Sequence, residues 1–380
     1  MGRMVEFQIT DAVCAENEIW MAAKWFNGLL CMDKATKEVA LKATFPNEKY
    51  SQENLYLNLN LIEGKIYCIP YAAKTIAIYN IKDDTFESIT LDTNMLQYKG
   101  GNEIFIGSIQ YENYLYMFPA YGKAIVRMDI HTYELIYITE WAEQLEKNCY
   151  NEYDFFFYKQ SFIKDNKIFI PFCNVDAMLE LACDSLKCRV YQLSSAKSGY
   201  SGISYDGNDF WMSAREDGDL TRWNPKTNEL ERNNLYTRKS KEVCKDYVGL
   251  AFSKGMVTVF SSNNSENREE KTVENASIQE GQYFFVKETN DSIIYFEWKK
   301  CELTIVGKER NDIFSTILKI QEQYIDISRI FSEKPFVEEI SEFSLQRMLT
   351  EIGKDEKVYL TDKMEKSMDV GNAIYSEYIS

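Results

Sequence analysis

Five aromatic residues, Trp20, Tyr67, Tyr116, Phe169 and Trp211, each stand before a short polar hop that separates two apolar runs. Seven positions beyond these anchors lie Asn27, Lys74, Lys123, Asp176 and Gly218. The same hops hold Lys24, Trp25, Tyr71, Tyr121, Asn174, Arg215, Glu216 and Asp217. Lys and Arg are donors suited to carboxylates and phosphates, and aromatic faces suit cations and sugar rings. If equivalent hops face a common centre, Lys74 and Lys123 converge. Lys24, Trp25, Tyr71, Lys74, Tyr121, Lys123, Asn174, Arg215 and Glu216 then line a mouth for a small anionic or sugar ligand. Simple solvation of exposed hairpins would use the same residue types, so composition leaves both readings open.

Catalytic signatures are sparse. The one histidine, His131, falls in a turn, and a single histidine excludes a two-histidine metal site within one chain. Cys183 and Cys188 lack further nearby Cys or His, so no metal is expected. No Gly-rich phosphate loop of the P-loop or dinucleotide type is present, and no cofactor is expected. Glycosidic chemistry needs only two carboxylates at a suitable distance. Asp176 and Glu216 are conceivable members of such a pair, although nothing in their spacing selects them. Asp33, Asp129 and Asn224, thirteen residues past their anchors, read as residues that hydrogen-bond their own turns rather than as calcium ligands.

The formal net charge of −16 disfavours a sequence-independent nucleic-acid binder, which needs a basic footprint. It also disfavours attraction to an anionic membrane. The amino terminus lacks the apolar core of a signal peptide, and no run is long enough to span a bilayer. Nine cysteines, most of them in apolar runs and with no CxxC pair, point to a reducing compartment. A cytoplasmic location is the expectation.

The hops must be held by a repeat. The anchors are 47, 49, 53 and 42 residues apart, and Asp33, Asn80, Asp129, Ala182 and Asn224 each follow by thirteen. A weaker copy lies at Met256–Ser262. In the fifth copy, strands are predicted at Ser201–Tyr205, Phe210–Ala214, Leu220–Trp223 and Glu229–Asn233, joined by Asp-Gly-Asn and Asn-Pro turns. Four short strands per period describe a propeller blade. The phrase resembles β-propeller repeats of the Kelch, NHL and WD40 kind. Its Trp … Asp-x-x-Thr-x-Glu cadence, at Trp20 … Asp33-Lys34-Ala35-Thr36-Lys37-Glu38, is similar to that of streptogramin-lyase-type propellers. The double glycine of Kelch repeats and a recurrent WD dipeptide are absent. The lyase resemblance implies a catalytic histidine with a metal, whereas His131 sits in an outer turn.

The expected fold is therefore all-β, a propeller over residues 4–310 with seven blades, or alternatively six. Val5, Phe7 and Ile9 alternate, so Met4–Ile9 is expected to close the ring as the outer strand of the last blade. The polar stretch after Ser262 reads as a long loop, and 282–306 as a seventh blade or the outer half of the sixth. Residues 311–380 read as a partly helical tail. Its apolar stripe is Ile313, Ile317, Ile320, Tyr324, Ile327 and Phe331, with shorter stripes at Leu345–Ile352 and Met364–Tyr378. The tail would pack on the ring, or dock a partner or a second copy. The functional expectation is a recognition or scaffold propeller binding a protein or small molecule at the channel mouth. A carboxylate-dependent lyase or glycan-active enzyme is the alternative.

Overall fold

The computed structural model describes residues 4–96, 103–145, 156–194, 199–215, 219–234, 236–237, 247–261, 269–270, 275–309, 312–326, 329–330 and 333. Among the described residues, seven sheets of three or four strands follow one another along the chain. Blade one is Ile9–Ala15, Glu18–Ala23, Leu29–Asp33 and Val39–Ala43, an antiparallel meander running from the innermost strand outward. Blades two to five repeat this plan from Tyr56, Phe105, Phe162 and Tyr200. Blade seven runs Tyr283–Glu288, Ser292–Glu297, Glu302–Gly307 and Ile313–Ile317. The innermost strand of blade seven touches that of blade one, so the ring closes. Seven blades, not six, complete it.

The anchors explain why the blades stack. Trp20, Tyr67, Tyr116, Phe169 and Trp211 all sit on second strands and are buried. Those strands are apolar on both faces, so each needs a neighbour on either side. The core accordingly divides into clusters lodged between successive blades. One joins Trp20, Leu29 and Cys31 of blade one to Leu59, Ile66 and Tyr79 of blade two. Another joins Ile294, Phe296 and Leu303 of blade seven back to Ile19, Met21 and Leu30 of blade one. Each large side chain buried in this way contributes roughly 1.5–3 kcal/mol. On the outer turns, the Asp33 carboxylate accepts the N–H groups of Ala35 (2.9 Å) and Thr36 (2.7 Å). Asp129 and Asn224 do the same in their own turns, which bears out the expected role of these positions.

Three features depart from the sequence reading. The amino-terminal strand does not complete the last blade, because Ile313–Ile317 already supplies its fourth strand. Instead Met4–Glu6 pairs antiparallel with Lys319–Gln321 in a separate two-stranded latch, Val5 opposite Ile320. Val5, Phe7, Leu318 and Ile320 are all buried at this seam, so the latch still closes the ring. The stripe from Ile313 to Tyr324 is not helical. Ile313 is 69% exposed and Ile317 is 46% exposed, as residues of an outermost strand rather than of a buried helix face. β-Branched alternation outweighed the four-residue spacing there. A one-turn 3-10 helix at Glu322–Tyr324 follows. Finally, the polar stretch after Ser262 holds a strand, Ala276–Glu280, which runs parallel to Met256–Ser261 and makes blade six a three-stranded sheet among the described residues. The helical stripes expected at Leu345–Ile352 and Met364–Tyr378 lie outside the described residues, as do Ile327 and Phe331.

Six innermost strands share one irregularity. A β-bulge falls between Ile9 and Asp11, Tyr56 and Asn58, Phe105 and Gly107, Tyr200 and Gly202, Tyr247 and Gly249, and Tyr283 and Phe285. Blade four has a larger insertion at this level. Phe157 faces Phe172 and Phe162 faces Phe169, so five steps of chain oppose three. The surplus brings Lys159 and Gln160 to the channel wall.

Candidate functional site

The innermost strands enclose a central cavity of about 530 Å³. Gln160 braces one side of it. Its side-chain carbonyl accepts the N–H groups of Ile203 (3.1 Å) and Leu250 (2.9 Å). Its amide nitrogen donates to the carbonyls of Leu250 (2.8 Å) and Val286 (3.3 Å). One side chain from blade four thus ties the inner strands of blades five, six and seven. Glycine makes room for it: a Cβ on Gly202 would stand 2.6 Å from the Gln160 side-chain oxygen and 2.8 Å from the Gly249 Cα.

The cavity wall carries charges of both signs. Lys287 of blade seven pairs with Asp11 of blade one at 2.8 Å and donates to the Leu59 carbonyl at 2.6 Å. The same Asp11 oxygen accepts the Leu59 N–H at 2.7 Å. Glu288 pairs with Lys308 (2.6 Å) and accepts from the Ser204 hydroxyl (2.8 Å). Two lysines differ from these. The Lys24 and Lys159 amines each stand 4.3 Å from the centroid of the Phe284 ring. Lys24 also lies over Trp25 (4.6 Å) and Trp298 (6.0 Å), and Lys159 over Phe285 (5.7 Å). Among the described residues neither amine has a carboxylate within ion-pair distance; Lys159 donates one long bond, 3.4 Å, to the Thr10 carbonyl.

Burial pushes Lys159 down to about 7, and the nearby Lys24 and Lys287 charges push the same way against the opposing pull of Asp11. Burial likewise pushes Lys24 down to about 8, with Glu53 and Cys301 opposing. Gln8 fixes the surroundings: its carbonyl oxygen accepts the Trp25 indole N–H (3.0 Å), and its amide nitrogen donates to the Trp298 carbonyl (3.0 Å). The arrangement concentrates positive charge on an aromatic surface and can receive an anion.

Of the residues singled out in the sequence, Lys24 and Trp25 belong to this cluster. Tyr71 and Tyr121 are half-buried and pack on the core between blades three and four. Lys74 is exposed, and Lys123 is half-buried with its backbone N–H on the Leu96 carbonyl (3.1 Å); neither lines the cavity. Asn27 and Asp176, at the seventh position, are buried staples rather than ligand contacts. Asn27 bonds Phe45 through both its oxygen and its nitrogen. Asp176 pairs with Arg232 and accepts from Ser194 and Gly199. Arg215 donates to the Cys173 carbonyl (3.2 Å). Both side-chain amide atoms of Asn174 are buried without a hydrogen-bond partner among the described residues. Glu216, Asp217 and Gly218 lie outside the described residues. Sequence reasoning missed Asp11, Lys159, Gln160, Phe284 and Lys287, because it looked at hops between second and third strands rather than at first strands. The polar Lys159-Gln160 pair ahead of an apolar strand was the available signal.

Among the described residues no group of His, Cys, Asp and Glu is arranged to hold a metal ion, and no helix is long and apolar enough to cross a membrane. The seven described cysteines are free thiols.

No protein-family profile matches the chain, and no curated protein matches it significantly in sequence. Solved structures do match. A computationally designed protein, Ika8, is similar with a TM-score of 0.51 at 11% identity, over 83% of this chain and 88% of that one. U3-55K is similar with a TM-score of 0.51 at 11% identity, over 77% and 90% of the two chains. Virginiamycin B lyase from Staphylococcus aureus is similar with a TM-score of 0.48 at 13% identity, over 84% and 87%. The architecture is a seven-bladed β-propeller. Identities this low show the fold alone.

Proposed function

We propose that this propeller is a recognition module that binds a small anionic ligand at the end of its channel, between Lys24 and Lys159. One observation carries the reading: two amines share the Phe284 ring, each 4.3 Å from its centroid, and among the described residues no carboxylate is paired to either. Like charges gathered on an apolar surface repel one another and cost desolvation, and a bound anion relieves both. Lys159 also lines the channel cavity of about 530 Å³, which is within the range of ligand sites, whereas Lys24 and Phe284 lie beyond its lining.

The carboxylate-dependent alternative has less support. Asp11 and Glu288 in the cavity wall are both engaged in ion pairs, and Asp176 is held by Arg232. A scaffold role for the ring and contacts made by residues 334–380 are compatible with anion binding. A reducing, cytoplasmic setting is supported by the free thiols.

Calorimetric titration with small carboxylates and inorganic phosphate tests the proposal. Binding is expected for the native chain and at least about tenfold weaker in Lys24→Met, which deletes one charge and keeps the stem. Equal affinity of the two proteins for every anion removes the proposal.

A further inference from the structure

Lys159 enters from blade four, yet its amine ends among groups of blades one and seven. It meets the Thr10 carbonyl at 3.4 Å, the Phe284 ring at 4.3 Å and the Phe285 ring at 5.7 Å. The charged groups acting on it are Asp11 and Lys24 from blade one and Lys287 from blade seven. The one acid among them is already committed to Lys287 at 2.8 Å and to the Leu59 N–H at 2.7 Å. Desolvation pushes the phenol of its half-buried chain neighbour Tyr158 up, so no anion forms there at ordinary pH. An apolar wall and neighbouring cations are the two circumstances that hold a lysine amine neutral and make it a nucleophile. Lys159 is also one of the residues that line the cavity.

We propose that Lys159 forms an imine with the carbonyl carbon of a small 2-oxo acid or aldehyde-bearing carboxylate, whose carboxylate group is held by Lys24. This rests on the anion-binding reading for the carboxylate and adds a covalent step. The Lys159 nitrogen attacks the carbonyl carbon, a C–N bond forms, the carbonyl oxygen leaves as water with the two amine protons, and a C=N bond remains. No electrons are gained or lost. The Phe284 and Phe285 rings limit the water that would reverse the step.

The test uses glyoxylate with sodium cyanoborohydride, which reduces the imine to a stable secondary amine, followed by peptide mass mapping of the intact chain. One adduct is expected at Lys159, exceeding that at exposed lysines such as Lys82 by at least about tenfold at neutral pH. Its pH midpoint is expected near 7, where the amine loses its proton. Lys159→Met abolishes it, and Lys82→Ala leaves it unchanged. Should Lys159→Met not fold, the site mapping in the native chain decides alone. Adducts spread evenly over surface lysines overturn the inference. So does an unmodified Lys159 in a chain that binds glycolate, the matching acid without an aldehyde group, and that result leaves the anion-binding reading standing. Labelling of Lys159 by propanal as fast as by glyoxylate overturns the anion reading and keeps the imine.

Discussion

Asp11 and Lys287 join the first and last blades of the ring, carboxylate to amine, at 2.8 Å. They belong to strands 276 residues apart in sequence, and Lys287 extends the link to blade two through the Leu59 carbonyl at 2.6 Å. The side chain of Asp11 is only 6% exposed. Lys287→Met therefore strands a buried carboxylate at the closing seam. A loss of about 2–3 kcal/mol is expected, less than for a fully buried pair because the lysine is partly solvated. Urea unfolding measures it. The double variant Asp11→Asn, Lys287→Met should lose less than the two single variants together, and strict additivity would contradict a direct coupling.

Gln160 holds three blades with one side chain. Gln160→Leu leaves the N–H groups of Ile203 and Leu250 without their acceptor, and about 2–3 kcal/mol of stability is expected to go. Gly202→Ala attacks the same brace from the other side, since its Cβ would lie 2.8 Å from the Gly249 Cα, which is backbone and cannot rotate away. A cost of about 1–3 kcal/mol follows. Chemical denaturation of both variants checks this, and a stability equal to that of the native chain in either would show that the brace is dispensable.

The latch is the third point of closure. Phe7 is 2% exposed, and its N–H donates to the Leu318 carbonyl at 3.3 Å. Phe7→Ala is expected to cost about 3–5 kcal/mol. Limited proteolysis should show faster cleavage around the seam between blades one and seven than at the Asp129 turn of blade three. Uniform cleavage would mean that the latch does not govern opening.

The amines give opposite pH signs for binding and for stability. Lys159 titrates at about 7 and Lys24 at about 8. Anion affinity is therefore expected to fall as pH rises from 6 to 9, as both lose charge, and calorimetry across that range tests it. For folding, both pKa values lie below the ordinary lysine value of about 10.4. Between about pH 7 and that value the unfolded chain binds more protons than the folded one, so stability attributable to these groups rises with pH. Lys159→Met should flatten this rise in a comparison of urea midpoints at pH 6 and 9. An unchanged slope would show that Lys159 keeps its ordinary pKa.

Local rules made much of the ring legible. Anchor spacing located the blades, because a strand apolar on both faces must be flanked by two others. The Asx turns at Asp33, Asp129 and Asn224 were readable because a side chain bonding its own backbone depends on neighbours in sequence alone. The tail at Ile313–Tyr324 was not, since residues spaced by three and four and residues with β-branched alternation overlap there. Only pairing with Glu302–Gly307 and with Met4–Glu6 decides between them.

The sequence by itself determined a repeat of short strands, hence a ring of sheets, and it supplied Lys24 and Trp25. Tertiary structure alone decided that Lys159 of blade four meets Lys24 of blade one across Phe284 of blade seven. That meeting depends on two surplus residues in one inner strand and on how the ring closes. A linear pattern records which residues alternate or recur; it does not record which distant strands share an axis. Charges so placed act on each other through space rather than along the chain, so their coupling exists only once the last blade has come round to the first.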